Sequence, residues 1–212
     1  MHRNRKRTVI EIIIVVACLA LSTVSLPTFF GRVGIYHYES KKAQCENHLS
    51  QIAKAMAMYL LKCGDNSFYA VPAESFRGDC WLASLYWSGI IKDPQVFLCP
   101  GSGDKGKIPG RPPKDLSLAS AVPADAVSYA GLCYGLKGKY AHRSTPTFTE
   151  SALSSACILA CDDNEGTLNH SVGICVVYFD CHIEFHPGPR SETYDLIGAA
   201  GSPYWYLDSG EE

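Results

Sequence analysis

Acids, imidazoles and thiols crowd the last third of this 212-residue chain. Asp162, Asp163, Asn164 and Glu165 stand consecutively, a set of hard oxygen donors that suits calcium when a loop curls around the ion. Calcium held by Asp162, Asp163 and Glu165 is one expectation. The spacing is not that of an EF-hand, and solvated turn acids are the plainer alternative. A second constellation, His170, Asp180, His182 and His186 with Cys157, Cys161, Cys175 and Cys181, contains the ligand types of zinc. It contains no CxxC pair, and Cys157 and Cys161 would share a strand face as buried core cysteines also would. The same residues could be arranged as a Cys-His-Asp nucleophilic site, but no nucleophile elbow accompanies them, so no catalytic residue is assigned and the chain is read as non-enzymatic. His182 reads instead as a hairpin residue whose ring hydrogen-bonds a neighbour such as Asp180.

The elements that must position these groups follow from periodicity. Between Glu39 and Cys63 the apolar residues Cys45, Leu49, Ile52, Met56, Tyr59, Leu60 and Cys63 recur at steps of three and four, which predicts an amphipathic helix stopped by Gly64. Trp81–Tyr86 suggests a short helix capped by Asp79. Trp81, Trp87 and Phe97 read as core or rim aromatics. Gly101–Asp125 is rich in Gly, Pro, Lys and Ser and predicts a mobile loop; its GSGDKGK run lacks the spacing of a phosphate cradle. Strand-like runs follow at 127–134, 156–161 and 174–179, and Asp180-Cys181 separates the last from His182–Phe185 as a tight hairpin. Such turns want positive φ, so a cysteine in the second place predicts an irregular turn or strain.

Upstream, Thr8–Leu26 is a run of nineteen residues that are apolar apart from Glu11 and a few hydroxyls. As a helix it is about 28 Å long, enough for a bilayer core. Arg3, Arg5, Lys6 and Arg7 precede it, and only Arg32 lies in the ten residues after it, so the basic tail is expected in the cytoplasm and the remainder outside. A cleavable secretory signal is the competing reading of the same stretch. The formal net charge of −2 shows no global basic excess, and nucleic acid is not an expected partner. Setting Cys18 aside, nine of the ten cysteines lie outside the span, an odd number that cannot all pair.

A basic tail, then Thr8-Val9-Ile10-Glu11, an aliphatic run and Pro27 resembles the prepilin signature of type IV pilins and type II secretion pseudopilins. In that family the carboxylate helps dock each subunit against its neighbour, which implies subunit assembly through Glu11. Lys6 and Arg7 occupy the places where the family peptidase needs glycine and phenylalanine, so the terminus is expected to stay uncut after Lys6. The resemblance narrows at Cys45-Glu46-Asn47-His48-Leu49-Ser50-Gln51-Ile52 and Lys92–Pro100, which resemble two signatures of a bacterial pseudopilin-like group. The tail from Asp162 through His170 to Asp180-Cys181-His182 resembles that group's closing hairpin motif, with cysteine where the group has glycine.

The resemblance implies an α+β fold, with a long N-terminal helix, membrane-spanning in its first half, packed on a small antiparallel sheet. The organisation expected is a basic tail at 1–7, a span at 8–26, an amphipathic helix continuing it at 27–63 and an extracytoplasmic head at 64–212. It further implies a single-pass protein of a bacterial inner membrane, with other pseudopilin-like subunits or secretion-platform proteins as partners. The alternative is a tethered binding module for glycan, peptide or metal. A disulfide between Cys45 and Cys99 is also expected: Cys45 lies on the apolar helix face, Cys99 ends the Val96–Leu98 run most suited to meet it, and the group's cysteines stand in the same two motifs. The rival is a pair of reduced, buried thiols.

Overall fold

The computed structural model describes residues 14–15, 35–59, 61–62, 76–118, 120–133, 158–162, 169–170, 173–187 and 207–208. The chain divides into two compact units, Met1–Ser40 and Lys41–Glu212. In the first, Ile14, Val15 and residues 35–40 are helical. Among the described residues no helix is long and apolar enough to cross a membrane. The expected span at 8–26, Glu11 included, lies outside them apart from Ile14 and Val15.

The second unit is a mixed α+β body. Its first element is α1, the helical residues 41–59. Cys45, Leu49, Ile52, Met56 and Tyr59 form one stripe on it, each at most 3% exposed, while Gln51, Lys54 and Met58 face out. This is the stripe that the three-and-four spacing predicts. Helix α2, Gly78–Trp87, is different in kind, because every residue from Gly78 to Leu85 is buried. Asp79 is not its cap. Arg77 holds that position without capping the helix through its side chain, and Asp79 sits in the first turn, where its carboxylate accepts the Cys80 N–H at 2.7 Å.

Among the described residues five strands form one sheet in the order β4-β3-β2-β1-β5: β1 Tyr129–Leu132, β2 Ile158–Asp162, β3 Gly173–Tyr178, β4 Ile183–Pro187 and β5 Leu207–Asp208. Every pairing is antiparallel. Helix α2 packs on β1 at Gly131, where a Cβ would come within 2.6 Å of the Gly78 carbonyl, so glycine is what lets helix and strand approach.

The Gly101–Asp125 segment has almost no regular structure, as its composition predicts, but it is fastened down rather than loose. Its backbone and side chains are tied by Gly106 N–H to Asp125 O at 2.7 Å, Ser128 Oγ to Asp104 Oδ2 at 2.5 Å and Trp87 Nε1 to Pro109 O at 2.7 Å. Its own Ile108, Leu116 and Val122 are buried.

The predicted β3–β4 hairpin is present. Cys181 N–H donates to Tyr178 O, Tyr178 N–H donates to His182 O, and Cys181 has φ +68°. That is a three-residue turn ending in a left-handed residue, a place that normally belongs to glycine.

Candidate metal centre

The site is assembled from four stretches of chain far apart in sequence. Three adjacent strands supply its floor. Tyr129 of β1 pairs with Asp162 of β2, and the neighbouring Cys161–Val176 register sets Asp162 opposite Cys175 of β3. Paired residues in a sheet point to one face, so Tyr129, Asp162 and Cys175 form a row across the three strands. Helix α1 lies over this row with Cys45, whose thiol donates to Asp162 Oδ1 at 2.6 Å and stands 3.5 Å from the Tyr129 hydroxyl.

Two loops close the sides. The turn Pro94–Phe97 is started by Asp93, whose side chain accepts the Gln95 N–H at 3.0 Å, and it delivers Cys99. His48, one helical turn beyond Cys45, donates from Nδ1 to the Leu98 carbonyl at 3.0 Å and so ties that loop to α1. His170 arrives just before β3, with Asn169 Nδ2 bonded to the Ser128 carbonyl at 3.0 Å. Gly101 allows the two loops to meet, since a Cβ there would stand 2.1 Å from the Asn169 carbonyl oxygen.

The result is a sealed polar pocket. Cys45, Asp162, Cys175 and Tyr129 are 0% exposed, His170 1% and Cys99 3%. His170 Nε2 faces inward, 3.4 Å from Asp162 Oδ2 and 3.6 Å from Cys99 Sγ. Asp162 Oδ2 also accepts the Cys175 N–H at 2.8 Å, and Cys99 Sγ accepts the Gly101 N–H at 3.3 Å.

Burial pushes the Cys45 thiol, the Asp162 carboxyl and the Tyr129 hydroxyl well above their ordinary values. Cys99 moves the other way, to about 5, through its hydrogen bond with Cys45 and then with His170. Cys175 falls to about 6, again first through Cys45. Burial opposes the His170 imidazolium, yet its contacts with Cys175, Cys99 and Asp162 carry it up to about 10.

The structure redistributes the expected site residues. Asp162 is the last residue of a strand, and the described donors beside it are Cys45, His170 and Cys175. Asp163, Glu165 and Cys157 lie outside the described residues. Cys45 and Cys99 do meet, but as free thiols: the Cys45 S–H donates a hydrogen bond to Asp162, and Cys99 Sγ accepts the Gly101 N–H. The closing motif is split. His170 enters the pocket at one end of β3, whereas Asp180 and His182 sit beyond the other end, about 20 Å away for a six-residue strand. There His182 bonds Asp180 through both its N–H and Nδ1, as the hairpin reading expects, and stacks on Tyr178 with ring centroids 4.1 Å apart.

Sequence reasoning divided Cys45, Cys99, Asp162, His170 and Cys175 among three separate constellations and left out Tyr129 and His48. The i, i+3 spacing of Cys45 and His48 was the one local signal for the latter. No family model matches the chain, and no curated protein or solved structure matches it either.

Proposed function

We propose that this chain is a non-enzymatic, membrane-anchored pilin-like envelope subunit, with its N-terminal helix in the membrane and the α+β unit outside as its head. The observation that supports this reading is the α1 stripe. Cys45, Leu49, Ile52, Met56 and Tyr59 belong to the same buried core as the sheet residues Tyr129, Ile158 and Val176. The helix downstream of the apolar stretch is thus a core element of the head, as a subunit hung from its own N-terminal helix requires. The thiols and imidazole of the pocket, Cys45, Cys99, Cys175 and His170, are buried. Glu11 would then mediate docking between subunits within the membrane.

A second reading, a tethered binding module, is favoured by a groove of about 430 Å³ between α1 and the segment after α2, lined by Lys54, Met58, Ile90, Lys92 and Asp93 among others. Extraction separates the two: the assembly reading expects a large detergent-stable complex that is weakened by Glu11→Gln while the head stays folded, and a monomer with unchanged cross-linking would overturn it. Intact mass of the membrane-extracted protein is expected to show no terminus at Arg7.

A further inference from the structure

The sealed pocket is built like a metal site and not like a piece of apolar core. One atom from each of Cys45, Asp162, His170 and Cys175 lies within 4.8 Å of the others. A tetrahedral zinc with bonds of about 2.0–2.3 Å sets its ligands about 3.3–3.8 Å apart; His170 Nε2 and Asp162 Oδ2 already stand 3.4 Å apart, whereas Cys45 Sγ and Asp162 Oδ1, at 2.6 Å, would have to part by about 1 Å to admit an ion. We infer that Cys45, Asp162, His170 and Cys175 bind one structural zinc ion, which fastens α1 to the sheet and to the loop before β3.

The donor chemistry selects the metal. Two sulfurs, an imidazole and one carboxylate suit zinc, whereas calcium and magnesium take oxygen cages. The surroundings fit a bound ion as well. Asp162 is oriented by the Cys175 N–H at 2.8 Å, and Cys99 stands beside His170 with its sulfur accepting the Gly101 N–H, which together make a shell of the kind that orients metal ligands. Without an ion, the pocket crowds three thiols and a carboxylate around a single imidazole at no more than 3% exposure, an expensive arrangement for groups cut off from water. A bound divalent ion would offset most of the negative charge of two thiolates and a carboxylate.

All four donors come from the protein and the pocket is closed, so no position is left for a substrate and the role is structural. The four ligands come from α1, β2, β3 and the loop before β3, so one ion would tie four pieces of chain together. The inference concerns the head's folding and does not depend on the assembly reading.

The test uses the full chain without a polyhistidine tag, purified in detergent from cells given zinc. Elemental analysis should find one zinc per chain, and denatured intact mass should show Cys45 and Cys175 as free thiols. Replacement by cobalt should give thiolate-to-metal charge transfer and the intense visible bands of a tetrahedral site. Chelation should lower the unfolding temperature, and zinc should restore it. Cys45→Ser and Cys175→Ser should each reduce zinc content at least tenfold, while His182→Ala, at the far end of β3, should leave it unchanged. Wild-type protein that is metal-free, or that carries a disulfide at Cys45 or Cys175, overturns the inference without any variant having to fold. Zinc retained in full by both serine variants overturns it too.

Discussion

Asp162 and Cys175 face each other across β2 and β3, and the Cys175 N–H donates to Asp162 Oδ2 at 2.8 Å. The carboxylate is 0% exposed, so a side chain is serving as the partner of a buried backbone amide. Asp162→Ala removes that acceptor and leaves the amide without its partner, at a cost of about 1–3 kcal/mol. The measurement is urea unfolding of chelator-treated wild type and variant, which excludes any metal contribution. Asp162→Asn keeps an acceptor oxygen and should lose less.

Leu49 lies on the buried stripe of α1 at 0% exposure. Leu49→Ala should destabilise the α+β unit by about 2–5 kcal/mol, the range for deleting a core leucine whose cavity cannot collapse. Lys54, on the outward face, is the control: Lys54→Ala should change stability by less than about 0.5 kcal/mol. Thermal unfolding of the two variants checks both.

Cys181 holds φ +68° at the end of the β3–β4 turn. Cys181→Gly should stabilise the protein by about 1 kcal/mol, because glycine adopts the left-handed region without the Cβ clash. A small part of the gain will be offset by lost packing, since Cys181 lies partly against the core. A raised unfolding midpoint with an unchanged denaturant slope is the expected result.

Asp180 has its carboxyl held below the usual range by the His182 N–H and then by the His182 ring. A depressed folded value means that the turn's contribution is present above the ordinary carboxylate pKa near 3.8 and is lost as pH falls through the lower folded value. Hydrogen exchange at the His182 amide should therefore become less protected on acidification through that window, beyond the intrinsic rate change. In Asp180→Asn the extra pH dependence should disappear.

Local pattern alone set much of this architecture. The three-and-four spacing from Cys45 to Tyr59 names the buried face of α1, because a helix repeats every 3.6 residues whatever it packs against. The apolar runs at 127–134, 156–161 and 174–179 contain three of the strands to within a few residues, and Asp180-Cys181 marks the turn and its positive φ. Asp162 shows where that kind of reading ends. Beside Asp163, Asn164 and Glu165 it reads as a solvated acid, but it is the last residue of β2, and strand pairing turns it inward toward Cys175. Likewise His170 and His182 read as one motif, yet the length of β3 separates them. The pocket itself depended on tertiary structure: Cys45 and Asp162 are 117 positions apart, and no local rule links residues that far apart. Antiparallel register and the docking of α1 bring them together, and both are decided by burial of the whole core.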